Sequence, residues 1–223
     1  MLNVIYEDNH IIVVEKPVNI PSQEDKTGDI DMITMIKDYL KIKYNKPGNV
    51  YVGLVHRLDR PVGGIMIFAK TSKAASRLSE SIRTKDFKKT YLAVVNNANL
   101  KDKAVLEDYL LKNEALNKSM VVSKDKRNAK LARLNYKILQ SITSGLSLVE
   151  INLETGRHHQ IRVQFASRGN SLYGDQKYGS GPKGEQIALW AYKITFKHPV
   201  KDEVMTFECK PKSLGIWSKF EIE

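Results

Sequence analysis

The sequence predicts an α+β fold, with a mixed, largely antiparallel β-sheet flanked by helices. Short apolar runs of strand length outnumber helical patterns, and strands and helices do not alternate as a doubly wound parallel sheet requires. A chain of 223 residues can bury one sizeable core, and its composition shows no internal repeat and no break between two halves. A single domain over residues 1–223 is expected.

Taken in order, "VIYEDNHIIVVEKP" predicts two short strands joined at Glu7-Asp8-Asn9, with Pro17 closing the second. "DIDMITMIKDYLKIKY" has helical spacing through Met32, Ile36, Tyr39 and Lys43, with Asp29 or Asp31 as cap. "VYVGLVHR" and "GIMIFAK" are strand-like, and "TSKAASRLSESIR" is helical through Ala75, Leu78 and Ile82, capped by Thr71 or Ser72. "KTYLAVV", "AVLEDYLL", "KSMVVS", "LARLNYKILQ" and "LSLVEINL" are further strands, so sheet dominates the middle. A last helix is expected in "GRHHQIRVQFASR", after Thr155-Gly156, and "QIALWAYKITF" and "VMTFEC" return to strand. Residues 123–130, "SKDKRNAK", and 178–186, "YGSGPKGEQ", are polar loops rather than linkers.

Lys plus Arg number 36 against 25 Asp plus Glu, a formal excess of +11. That field concentrates polyanions and makes nucleic acid the leading partner. A membrane surface competes, but no apolar run approaches transmembrane length, and Met1 to Glu15 lacks a basic start followed by an apolar stretch. The lone Cys209 cannot form an internal disulfide, which fits a reducing compartment and a cytoplasmic protein.

"GLVHRLDRPVGG", residues 53–64, sets one carboxylate, Asp59, among His56, Arg57 and Arg60. In an extended chain Arg57 and Asp59 share one face while His56 and Leu58 take the other, so Arg57 could hold Asp59 ionised. An ordinary ion pair at a strand end gives the same pattern. Gly63 and Gly64 permit close backbone approach by a ligand, though a plain turn needs them equally.

In "LETGRHHQIR", a helix beginning at Thr155 or Gly156 would present Arg157, His158 and free backbone amides, which suits phosphate. On that helix His158 and Arg162 share a face, and Arg162 lies beside the apolar stripe of Ile161 and Phe165. An arginine so near the core calls for a carboxylate partner; a solvated basic face is the plainer alternative. "KKTYLAVV" puts Tyr91 on one strand face with Ala93 and Val95, after Lys88 and Lys89. It is either a core tyrosine or a base-stacking platform beside phosphate-binding lysines.

"GSGPKG", Gly179 to Gly184, matches G-x-G-x-x-G, but no apolar strand precedes it and Pro182 sits inside, so dinucleotide binding is rejected. His158 and His159 point to different faces of a helix, and metal-ligand spacing and a G-x-S-x-G elbow are missing. No metal site is expected.

"HRLDR", "KKTYLAV" and "TGRHHQIR", in this order, resemble the RluA-type pseudouridine synthases, with further matches in "YEDNHIIVVEKP", "GIMIFAKT", "LYGDQKYG" and "ALWAYKITFKHP". The resemblance implies a pseudouridine synthase-like catalytic fold with a central cleft. It also implies an isomerase that detaches uracil from ribose in structured ribosomal or transfer RNA, turns it, and rejoins it through a ring carbon, without cofactor or metal.

Carried over by position, Asp59 resembles the catalytic aspartate and Tyr91 the aromatic that packs on the base. Arg162, in preference to Arg57, resembles the salt-bridge partner that keeps the aspartate ionised. Arg57 corresponds to an arginine used near the displaced base. His56, Arg60, Lys88, Lys89, Arg157, His158 and Leu189 complete the expected RNA contacts, with Lys85 and the 123–130 loop adding phosphate grip. The chain departs from the family at Val62-Gly63-Gly64, at Gln164 and at Trp190, which bears on loop contacts and substrate choice. Many relatives carry an N-terminal RNA-binding domain; here the catalytic pattern starts almost at Met1, so the catalytic domain is expected to grip RNA itself, as a monomer. The rivals are an idle RNA-binding protein of the same fold and a basic nuclease.

Overall fold

The computed structural model describes residues 2–179 and 184–222, so the interior of the Gly179 to Gly184 stretch lies outside the described residues. The chain forms two compact units, residues 1–88 with 191–210, and residues 89–190 with 211–223.

The first unit is built on β1 (Asn3–Glu7), β2 (Ile11–Lys16), β3 (Gly53–Leu54), β4 (Gly63–Ala69) and the body of β10 (Leu189–Lys197), with β11 (Val204–Glu208). β1, β2, β4 and β10 lie side by side; β3 joins β4, and β11 pairs antiparallel with β10. Residues 11–14 of β2 and 65–69 of β4 are completely buried, which explains why both read as continuous apolar runs instead of alternating ones. The tight β1–β2 connection is made by Asp8, whose Oδ1 accepts from the backbone N–H groups of His10 (2.7 Å) and Ile11 (2.9 Å), while Oδ2 meets His198 Nε2 at 2.9 Å.

Helix α1 (Met32–Lys43) starts where Asp31 Oδ1 accepts from Ile33 and Thr34 N–H, and it buries Met32, Ile36 and Leu40. Its other anchor is Glu7. The Glu7 carboxylate accepts from Lys43 Nζ (2.7 Å), Lys70 Nζ (2.6 Å), Tyr39 Oη (3.0 Å) and Tyr44 Oη (2.8 Å). Burial opposes its charge, but these four donors outweigh burial and hold Glu7 down to about 2. Helix α2 (Ser72–Arg83) is capped by Thr71 Oγ1 on Ala74 N–H and buries Ala74 and Leu78.

The second unit carries a sheet of β5 (Lys88–Asn96), β9 (Leu146–Leu153), β8 (Lys130–Ile142), β6 (Lys103–Asn113) and β7 (Lys118–Val122), in that spatial order and antiparallel at every pair. β6 and β8 alternate buried and exposed residues, a pattern of one packed face. Helix α3 (Gln160–Ala166) is short and almost wholly buried, with Gln164 Nε2 donating to Asp108 Oδ2 at 2.7 Å and to the Ala132 carbonyl at 3.3 Å. The glutamine at this family departure therefore ties α3 to the sheet. The architecture is the expected mixed, mostly antiparallel one. Among the described residues, no helix is long and apolar enough to cross a membrane.

Candidate active site

In the first unit the Asp59 segment is almost free of ladder bonds. "VYVGLVHR" reads as a strand, yet only Gly53 and Leu54 pair, with Ala69 and Phe68. What fixes residues 55–62 is a set of side-chain clamps. Ser22, 5% exposed, uses one hydroxyl twice: it donates to the Leu58 carbonyl at 2.9 Å and accepts from Leu58 N–H at 3.1 Å. Lys16 Nζ donates to the carbonyls of Arg60 (3.0 Å) and Pro17 (2.9 Å). Asp59 then closes a turn by accepting Val62 N–H at 2.9 Å. The Asp59 side chain itself remains half-buried, within reach of a ligand from solvent.

The cations around it divide by role. Arg57 is exposed. Arg60 is engaged within its own unit: its guanidinium holds Asp29, reaches Asp25 Oδ2 at 3.7 Å and donates to Thr27 Oγ1 at 3.0 Å. His56 packs on Phe87 with ring centroids 5.7 Å apart, and its Nε2 accepts from Ile67 N–H at 3.2 Å. This bond makes Nε2 the unprotonated nitrogen and gives His56 a structural task beside any contact with RNA. Lys16 is completely buried, and burial pushes its ammonium down to about 7, with Asp59 opposing the shift and Arg60 adding to it.

Gly64 resolves the open question about the paired glycines. Its φ is +119°, and a Cβ there would stand 2.2 Å from the Ala191 carbonyl oxygen. The close backbone approach is thus made by the neighbouring strand β10, and glycine is required for that reason rather than for a ligand.

In the second unit Tyr91 lies in β5 opposite Ile151 and is 7% exposed. Lys88 is exposed, whereas Lys89 is half-buried with its Nζ close over Gly156, and burial lowers its ammonium below the ordinary lysine value. Leu189 and Trp190 are buried, at 5% and 7%.

The expected helix start at Thr155 or Gly156 is corrected. α3 begins at Gln160, because His159 takes a left-handed conformation with φ 53° and breaks the helical path. Arg157 and His158 therefore precede the helix, and the anticipated first-turn anion site and the shared His158–Arg162 face do not form. Arg157 Nε instead donates to the Leu131 carbonyl at 2.8 Å. His158 stacks on His159 at 3.7 Å, with its Nδ1 2.9 Å from Ser119 Oγ. His159 Nδ1 lies 2.9 Å from Tyr178 Oη.

Arg162 forms a forked pair with Asp175, Nε to Oδ2 at 2.8 Å and Nη2 to Oδ1 at 2.7 Å, beneath the Tyr178 ring, whose centroid is 5.3 Å from the guanidinium carbon. Burial works against the Asp175 charge, but Arg162 and the N–H groups of Lys177 and Tyr178 hold the carboxyl below its ordinary value. Asp175 was not singled out from the sequence, although it sits in the "LYGDQKYG" stretch that resembles the family. Lys16 was also passed over, although it falls on the same strand face as buried Ile12 and Val14.

The fold is that of pseudouridylate synthase domains. The solved human RNA Pseudouridylate Synthase Domain Containing 4 matches 94% of this chain and 89% of its own with a TM-score of 0.79 at 22% identity. The human Domain Containing 1 protein matches 96% of this chain and 84% of its own with a TM-score of 0.75 at 21% identity. The family model described as RNA pseudouridylate synthase matches residues 10–167. An uncharacterized RNA pseudouridine synthase of Bacillus subtilis, YhcT, is 33% identical over 93% of this chain and 68% of its own length. The ribosomal large subunit pseudouridine synthase C of Rickettsia bellii is 32% identical over 93% of this chain and 67% of its own. The chain belongs to the RNA pseudouridylate synthase family and is an isomerase of that class.

Proposed function

We propose that residues 1–223 act as one catalytic domain that converts uridine to pseudouridine in structured RNA, with ribosomal RNA as the first substrate to test. In the reaction the C1′–N1 bond breaks, the uracil turns, C1′ bonds to C5, and the C5 proton is lost as N1 gains one, so composition and mass are unchanged. The observation that carries the assignment is the half-buried Asp59 carboxylate on a backbone clamped by Ser22 and Lys16. Attack on the sugar, attack on the ring and removal of a sugar proton all need that carboxylate ionised.

In this reading Tyr91 packs on the extruded base, whose removal from its stack costs a few kcal/mol. Arg162, oriented by Asp175, supplies a fixed positive charge to the reacting carboxylate, and Arg57 contacts the displaced base. Arg60, His56, Lys88, Lys89, Arg157, His158 and Leu189 remain proposed RNA contacts; Arg60 would exchange its acidic partners for phosphate. The reaction is placed in the cytoplasm, on a monomer, without cofactor.

The test is incubation of the purified protein with unmodified ribosomal and transfer RNA, followed by chemical mapping of pseudouridine. New pseudouridine at discrete positions, in RNA of unchanged length, supports the assignment. Shortened RNA would indicate a nuclease, and bound but unmodified RNA an idle binding protein.

A further inference from the structure

Lys16 is the largest completely buried side chain that carries a formal charge. It ends β2 opposite Gly64, where the partner strand has no side chain. Enclosing an ammonium is unfavourable unless its donors and its charge are matched. The structure matches its donors with the Pro17 carbonyl and with the Arg60 carbonyl at 3.0 Å, one residue beyond Asp59. A neutral methionine or leucine would fill an apolar strand end at lower cost, so the charge calls for a purpose beyond packing.

We propose that Lys16 is a positioning residue for Asp59, fixing the backbone that follows it and placing a buried positive charge beside its carboxylate. The inference rests on the reading that Asp59 is the reacting carboxylate. The clamp is two-sided: Ser22 holds Leu58 on one side of Asp59 and Lys16 holds Arg60 on the other. Burial drives the Lys16 ammonium down to about 7, while among charged side chains Asp59 favours the ammonium and Arg60 disfavours it. The ammonium is therefore present below that pH and lost above it, and with it the positive charge that acts on Asp59.

Two measurements decide the matter. The first follows the lysine ε-methylene carbons by NMR through a pH titration, in the wild type and in Asp59→Asn. The Lys16 signal should titrate near 7 in the wild type and distinctly lower in the variant, which lacks the opposing carboxylate; identical midpoints would overturn the proposal. The second compares single-turnover rates. Lys16→Met should lower the rate constant about tenfold or more with RNA affinity within about twofold, and should remove the fall in rate that the wild type shows as pH rises through the Lys16 midpoint. A variant that loses only thermal stability or RNA affinity, with an unchanged rate and pH profile, would overturn it as well. If the wild type forms no pseudouridine, the functional reading fails, while the NMR comparison still decides whether the two groups are coupled. If Lys16→Met does not fold, the NMR arm, which leaves Lys16 in place, stands alone.

Discussion

Replacing Asp175 by Asn isolates the charge of the buried Arg162 pair. The two side chains are 6% and 0% exposed, and both contacts are short, so water screens the pair little. Asn preserves shape, and its Oδ1 can still accept from Lys177 and Tyr178 N–H, now at 2.9 and 3.1 Å. What is lost is the Asp175 charge opposite a buried guanidinium, which also meets an amide N–H where it had an oxygen. Breaking one side of such a pair costs about 3–5 kcal/mol. For a chain of this size that lowers the melting temperature by roughly 6–20 °C. The assay is urea and thermal unfolding by circular dichroism of wild type, Asp175→Asn, Arg162→Met and the Arg162→Met/Asp175→Leu double variant. The double variant should recover most of the loss, because it removes both charges and refills the space. An Asp175→Asn protein within about 1 kcal/mol of wild type would refute the claim that this pair is buried and mutually dependent.

Two further outcomes follow from the electrostatics. Glu7 is depressed from 4.5 to about 2, so its contribution to stability is complete above its unfolded value and is lost as pH falls from 4.5 towards 2. With Lys43 44% exposed and screened, Glu7→Gln should cost about 1–2 kcal/mol at pH 7, and urea titrations should show the gap narrowing below pH ~4.5. On the exposed loop that leads into β8 and on the first residue of that strand, changing Lys124, Lys126, Arg127 and Lys130 together to alanine should weaken RNA binding and flatten its log–log salt dependence by about 3 units, as measured by filter binding.

Much of the fold was legible in the sequence because local signals and tertiary packing agree. Of the alternatives Asp29 or Asp31 and Thr71 or Ser72, Asp31 and Thr71 are the caps, and the apolar runs of β2 and β4 are the buried strands of the first unit. The misreadings have physical sources. The strand expected over "VYVGLVHR" shrinks to two residues because Ser22 and Lys16, distant in sequence, take over the backbone bonds a ladder would have made. The helix after Gly156 starts late because His159 is held left-handed while its ring meets Tyr178, a partner that helical periodicity does not encode. The need of Arg162 for a carboxylate was readable from its apolar neighbours; that Asp175 supplies the forked contact depends on a turn thirteen residues away. Lys16 was hidden by its type, since lysine at a strand end usually reads as solvated.

In the proposed reaction activity depends on the carboxylate at position 59. Asp59→Asn, assayed on an RNA that the wild type modifies, should bind that RNA with affinity within about threefold of wild type yet form no pseudouridine above background, because the amide cannot act as the anion. Pseudouridine formation by Asp59→Asn at a rate comparable to wild type would show that this carboxylate is not the reacting group.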